Sequence, residues 1–142
     1  METRFSGHTV YSTEYHIVWI PKYRRRILNS GVKAYLEKLL PKVLETMPGC
    51  EMVEYNMQFD HIHTVMVIPP KYSVSEVVGR IKGMTASRLR KRFGWLKNLY
   101  WVDNTVWSPG FFVSTVGIDE DKIRRYVRWQ QSQDSGQAKL EL

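Results

Sequence analysis

His61 and His63 flank a single apolar residue, Ile62, and follow an acid, Asp60. Strand side chains alternate between faces, so the two imidazoles would share one sheet face while Ile62 points into a core. Farther along, Tyr126 and Gln130 are one helical turn apart and share a helix face. Two imidazoles, an amide oxygen and a phenol, brought together, make a divalent-metal site beside an oxygen nucleophile. That is chemistry suited to cutting a phosphodiester.

Each of these residues also has a plainer reading. A lone histidine on a half-exposed strand is more often hydrogen-bonded than metal-bound, but a His-apolar-His triplet after an aspartate favours the metal. Tyr126 could be a packing residue at the edge of the stripe formed by Ile123 and Val127, and Gln130 a solvated amide. Arg124, Arg125 and Arg128 beside the tyrosine are what a phosphate pocket needs and a packed phenol does not. Two other histidine-based hydrolases fit poorly. A histidine-triad nucleotide hydrolase would want a third histidine where Val65 stands, and a two-histidine phosphoesterase would want two His-x-Thr/Ser motifs.

Charge points to a polyanion. The chain has 142 residues, a formal charge of +7 and an isoelectric point near 9.6, which favours nucleic acid as a partner. Every charged residue from Arg80 to Lys97 is basic. A solvated helix face usually mixes signs. A single-sign run with Phe93 and Trp95 beside it suits a phosphate backbone with bases stacked nearby. Lys22 to Arg26 holds a second basic cluster. The residues expected to touch DNA are Lys22, Arg24, Arg25, Arg80, Lys82, Arg88, Arg90, Arg92 and Arg125. No apolar run approaches the ~20 residues needed to cross a bilayer, and the first residues do not resemble a signal peptide. Cys50 stands alone, so no intramolecular disulfide forms and a cytoplasmic location is expected.

The elements that must position these groups are legible in outline. Thr9 to Ile20 reads as one strand ended by Pro21. Asn29 or Ser30 opens a helix with apolar positions from Val32 to Met47, which Pro41 should kink or shorten. Cys50–Met57 and His61–Ile68 read as two strands around a tight turn. Ser73 with Glu76 forms a capping box at the head of a helix reaching about Arg92. Gly79 and Gly83 weaken that helix by roughly 1 kcal/mol each relative to alanine, a sign of close backbone approach. Residues 94–109 read as irregular and aromatic, Phe111–Val116 as a last strand, and Asp119 as the cap of a helix to about Gln133. One domain over residues 1–142 is expected, with 134–142 as a tail. The order β-α-β-β-α-β-α predicts an α+β ferredoxin-like antiparallel sheet with helices on one face, and a C-terminal helix carrying the nucleophile. The strand of His61 and His63 would be central.

The chain resembles, along nearly its whole length, the single-tyrosine HUH transposases of small insertion sequences, the TnpA-like proteins of IS200 type. The strings that carry the resemblance begin with Tyr15-His16-Ile17-Val18-Trp19-Ile20-Pro21-Lys22-Tyr23-Arg24 and Asp60-His61-Ile62-His63. They continue with Ile68-Pro69-Pro70-Lys71-Tyr72-Ser73-Val74-Ser75, Gly110-Phe111-Phe112-Val113-Ser114-Thr115-Val116-Gly117 and Ile123-Arg124-Arg125-Tyr126-Val127-Arg128-Trp129-Gln130. Phe111-Phe112 departs from relatives that carry a tyrosine there, which leaves Tyr126 as the better nucleophile. The resemblance implies a DNA transposase that cleaves and rejoins single strands through a 5′-phosphotyrosine and recognises hairpins at the element ends. It implies a homodimer in which the tyrosine helix of one copy can reach the histidines of the other, with Gly117 as a pivot. It also implies that His61, His63 and Gln130 hold Mg²⁺ or Mn²⁺, and that no ATP is consumed. The alternatives are a non-catalytic single-strand-binding module of the same topology and a replication- or relaxase-type nickase.

Overall fold

The computed structural model describes residues 3–101 and 105–136. Its frame is a four-stranded antiparallel sheet of β3 (Glu14–Trp19), β4 (Glu51–Gln58), β5 (His61–Val67) and β6 (Phe112–Ser114), in the order β4-β5-β3-β6. Helices α1 (Ser30–Leu44) and α2 (Val74–Arg92) are the crossovers. This is the expected ferredoxin-like arrangement, with β5 between two neighbours. A separate two-stranded hairpin joins β1 (Arg4–Ser6) to β2 (Thr9–Tyr11). The single strand expected over Thr9–Ile20 is therefore two strands in two sheets. Gly7 turns the hairpin with φ of 57°, a backbone region that glycine enters without a Cβ penalty.

Local signals set the helix ends. Asn29 accepts from the Val32 amide at 3.0 Å at the head of α1. Ser73 and Glu76 form the reciprocal capping box of α2. Asp119 accepts from the Lys122 amide at 2.8 Å at the head of α4 (Glu120–Asp134). Pro41 sits inside α1, whose last residue is Leu44. The stretch expected to be irregular contains the short helix α3 (Trp95–Leu99). Helix α4 includes Asp134, and residues 137–142 of the expected tail lie outside the described residues.

Alternation along the strands divides the sheet into two faces. Ile17, Trp19, Ile62 and Met66 pack with Val32, Leu36 and Leu40 of α1 and Val77 and Ile81 of α2 in the main core. Each such side chain, fully buried, contributes about 1.5–3 kcal/mol relative to exposure. The other face carries His16, Val18, His61 and His63. Val18 stands opposite His63 in the register and Trp19 opposite Ile62. Helix α4 lies on this second face, where Ile123, Tyr126 and Val127 cluster with Val18 and Ile20. It covers β3 and meets β6, leaving the β5 and β4 side, with Asn56 opposite His63 and Gln58 opposite His61, uncovered by that cluster.

Candidate active site

The histidine pair is built as strand alternation requires. Ile62 is fully buried in the main core, and both imidazoles are half-buried on the opposite face. His61 Nδ1 is 3.0 Å from Asp60 Oδ1, and Arg24 Nε donates to Asp60 Oδ2 at 2.8 Å. Burial works against ionising Asp60, but the hydrogen bonds from Arg24 and His61 outweigh it and hold the carboxyl below its ordinary range. A carboxylate on Nδ1 favours the tautomer that leaves His61 Nε2 as a lone-pair donor. His63 Nε2 is buried without a hydrogen-bond partner. Burial, then the neighbouring His16 and His61, push the His63 pKa down, so the ring stays neutral and able to ligate. These are properties a divalent cation would use. Among the described residues no three or more His, Cys, Asp or Glu side chains converge as a metal set.

Tyr126 and Gln130 share one face of α4, as their spacing requires, and both are buried rather than exposed. The Tyr126 ring packs on Phe112 of β6 at 5.8 Å and on Trp129 at 6.4 Å. Its hydroxyl donates to Gln130 Oε1 at 3.2 Å. Gln130 Nε2 donates to Asp134 Oδ1 at 3.1 Å. Asp134 Oδ2 accepts from the Tyr23 amide at 2.9 Å and from the Ser108 hydroxyl. Burial, with the Asp134 charge added, pushes the phenol pKa well above its ordinary value. Gly110 admits the Gln130 side chain, since a Cβ there would stand 2.7 Å from Oε1.

His61 and His63 are on β5, while Tyr126 packs on Phe112 of β6, bonds to Gln130 and clusters with Val18, the β3 residue opposite His63. Arg24 links Asp60 to α4: its guanidinium also donates to Gln131 Oε1 of α4 at 3.3 Å. Tyr23 and Arg24 hold left-handed backbone at φ of 61° and 55°, a cost of order 1–3 kcal/mol each that surrounding contacts must offset.

The basic residues have different partners. Arg24 serves Asp60. Arg25 donates to the Leu99 carbonyl, Arg80 to the Thr46 carbonyl at 3.1 Å, and Arg90 to the Thr105 carbonyl at 3.1 Å. Lys82 is held by the Ser108 and Gly110 carbonyls, and burial lowers its pKa to about 8. Arg88, Arg92 and Arg125 are exposed and Lys22 is half-buried. Three participants were missed from sequence. Arg24 as partner of Asp60 and Asp134 as the tie of α4 need contacts between distant segments. His16, its ring 5.7 Å from that of His63, shares their face, which could have been read only once the register was known.

With this geometry in view, comparison with known proteins is informative. The profile of the family described as "Transposase IS200 like" matches residues 9–130. The transposase for insertion sequence element IS200 of Salmonella typhimurium is 36% identical over 128 residues, spanning 90% of this chain and 83% of that one. The ISDra2 transposase TnpA of Deinococcus radiodurans is 28% identical over 126 residues, spanning 88% and 89%. A crystal structure of a Deinococcus radiodurans protein assigned as a transposase superposes with a TM-score of 0.76 at 28% identity, covering 89% of this chain and 97% of that one. A REP-associated tyrosine transposase bound to a REP hairpin shares the fold, with a TM-score of 0.53 at 15% identity over 96% of this chain and 74% of that one.

Proposed function

The chain belongs to the IS200-like transposase family, and on that premise we propose that it cleaves and rejoins single-stranded DNA at insertion-sequence ends, with Tyr126 as nucleophile. The observation that carries this reading is the pair of ligation-ready imidazoles, one oriented by Asp60 and one with an unpartnered buried nitrogen, on the sheet face that α4 also occupies.

The phenolic oxygen attacks the scissile phosphorus. A tyrosine O–P bond forms and the bond to the 3′ oxygen breaks. The phenol's proton passes to solvent and the leaving oxygen takes one up, giving a 5′-phosphotyrosine and a 3′-hydroxyl. The ester keeps the phosphodiester's energy, so joining to a new 3′-hydroxyl needs no ATP. His61, His63 and, once freed from the phenol, Gln130 would hold Mg²⁺ or Mn²⁺, with Mn²⁺ tolerating imidazole better. When bound, the ion supplies Lewis-acid stabilisation of charge on the phosphate. The exposed Arg125 on α4 can meet the phosphate backbone, and hairpin-bearing ends are the substrate the family reading favours.

The resting contacts explain why attack needs a rearrangement. Gln130 accepts the phenol's hydrogen bond, but an amide oxygen is not a base, and burial keeps the phenol protonated. Attack therefore requires Tyr126 to leave this pocket. Exposed Gly117, between β6 and the Asp119 cap, lets α4 swing to the histidines of its own copy or of a second in a homodimer. Incubation with labelled hairpin-bearing single-stranded DNA and Mn²⁺ tests the reading: a covalent protein–DNA band should survive denaturation. Binding without any such band would make the protein a binding module instead.

A further inference from the structure

We propose that Lys82 is a positioning residue for the nucleophile helix: through Ser108 and Gly110 it fixes the place at which Tyr126 and Gln130 rest. This depends on the transposase reading for the role of Tyr126, and it gives Lys82 a task other than the DNA contact expected from sequence.

Ser108 and Gly110 stand between α2 and α4, and each is held from both sides. Lys82 Nζ of α2 donates to the Ser108 carbonyl, and the Ser108 hydroxyl donates to Asp134 Oδ2 of α4. The same Nζ donates to the Gly110 carbonyl at 2.9 Å. Gly110 in turn receives Gln130, whose Oε1 lies 2.7 Å from where a Cβ would stand. Gln130 joins the two paths. Its Nε2 donates to Asp134 Oδ1 at 3.1 Å, and its Oε1 accepts from the Tyr126 hydroxyl at 3.2 Å. The phenol is thus connected to α2 through four hydrogen-bonded residues.

The segment around Ser108 has other anchors. The Ser108 amide donates to the Ile20 carbonyl at 2.9 Å and the Lys22 amide to the Val106 carbonyl at 2.9 Å, which ties the segment to the end of β3. Lys82 adds a charge to this place against the cost of desolvation. Burial disfavours the charged amine and lowers its pKa to about 8, with the Asp134 carboxylate opposing the shift. A lysine that served only solvent or phosphate would keep its ammonium in water. Asp134 also bears on Tyr126, where its charge adds to burial in raising the phenol pKa. The ammonium and the phenol therefore face the same carboxylate.

The consequence follows from the resting contact. Attack needs Tyr126 to leave Gln130, and α4 to part from the wall at 108–110. The bonds from Lys82 stiffen that wall and oppose the departure. Without them the resting position is less stable, while the contact between Asp60 and His61 stays.

Lys82→Met tests this in the full chain, because it keeps the length of the side chain and removes the donors. Single-turnover formation of the tyrosine adduct, on saturating hairpin-bearing single-stranded DNA with Mn²⁺, should become about tenfold faster, equivalent to ~1.4 kcal/mol. Anisotropy with the same DNA should give the parental Kd and the parental salt slope. Amide hydrogen exchange over residues 126–134 should accelerate more than in α1. A slope of log K against log salt smaller by about 0.7–0.9 would make Lys82 a phosphate contact and overturn the proposal. A parental or slower adduct rate would overturn it too. Ser108→Ala covers the case in which Lys82→Met fails to fold: it keeps the carbonyl for Lys82 and cuts the tie to Asp134. It should also speed the adduct, and a parental rate in it would strike the bridge. If the parent forms no adduct, the transposase reading fails by itself. Exchange over 126–134 in Lys82→Met then decides the bridge: acceleration keeps it and an unchanged pattern removes it.

Discussion

The Tyr126 hydroxyl donates to Gln130 Oε1 at 3.2 Å, so the two groups proposed to serve the reaction occupy one another. While that bond stands, the phenol's proton and one lone pair of the amide oxygen are engaged with each other. The contact belongs to a chain that continues through Asp134 to Tyr23 and Ser108, and it describes a resting position of α4.

Removing the hydroxyl separates chemistry from folding. Tyr126→Phe keeps the ring on Phe112 and loses one hydrogen bond, a cost of about 1 kcal/mol. Hairpin DNA should still bind, and the covalent band on a denaturing gel should vanish. Persistence of the band would assign the nucleophile to another residue.

Releasing the last turn of α4 should loosen the whole resting position. Asp134→Ala deprives the Gln130 amide, the Tyr23 amide and the Ser108 hydroxyl of their acceptor, and should cost about 1–3 kcal/mol in urea unfolding. Amide hydrogen exchange over residues 126–134 should accelerate more than in α1. Uniform exchange in both helices would show that Asp134 holds nothing locally.

Disturbing Asp60 should weaken metal binding while the histidines stay in place. Groups that orient a ligating imidazole typically account for 10–100-fold in metal affinity. Asp60→Ala should therefore raise the Kd for Mn²⁺, read by electron paramagnetic resonance, by about that factor. Arg24→Ala should do so less, while costing about 1–3 kcal/mol of stability through the unpaired carboxylate. Unaltered Mn²⁺ affinity in Asp60→Ala would remove the orienting role.

The pH response of His63 has a defined sign. Its folded pKa lies below the ordinary value because burial and then His16 and His61 disfavour the charged ring. As pH falls from about 6.5, the unfolded chain takes up the proton first. The stability this group contributes is thus full above that pH and is lost as pH falls through the folded value. Nitrogen-15 NMR of metal-free protein should show a His63 midpoint below that of a free histidine, and an equal or higher midpoint would contradict the desolvated setting.

Much of this was legible along the chain, because short-range rules govern it. Alternation put His61 and His63 on one face with Ile62 in the core. The Ser73–Glu76 capping box, Asn29 and Asp119 marked helix starts by bonding to their own neighbouring amides. The family's strings carried the order of strands. The β1–β2 hairpin left only Gly7 as a signal, and β2 was absorbed into the longer run Thr9–Ile20. Basic residues from Arg80 onward could be seen as a run but not sorted, since Lys82 and Arg90 take their carbonyl partners from the segment 105–110.

The sequence by itself determined which residue types could act, the sheet face of the imidazoles and the helix face of Tyr126 and Gln130, because strand and helix periods are properties of the local backbone. Only the tertiary structure decided that the phenol turns to Phe112 and β6, that Arg24 serves Asp60, and that Asp134 ties down the end of α4. Those outcomes depend on how α4 is rotated on the sheet and on which distant segments meet. No periodicity within one segment encodes them, because they are set by packing between segments.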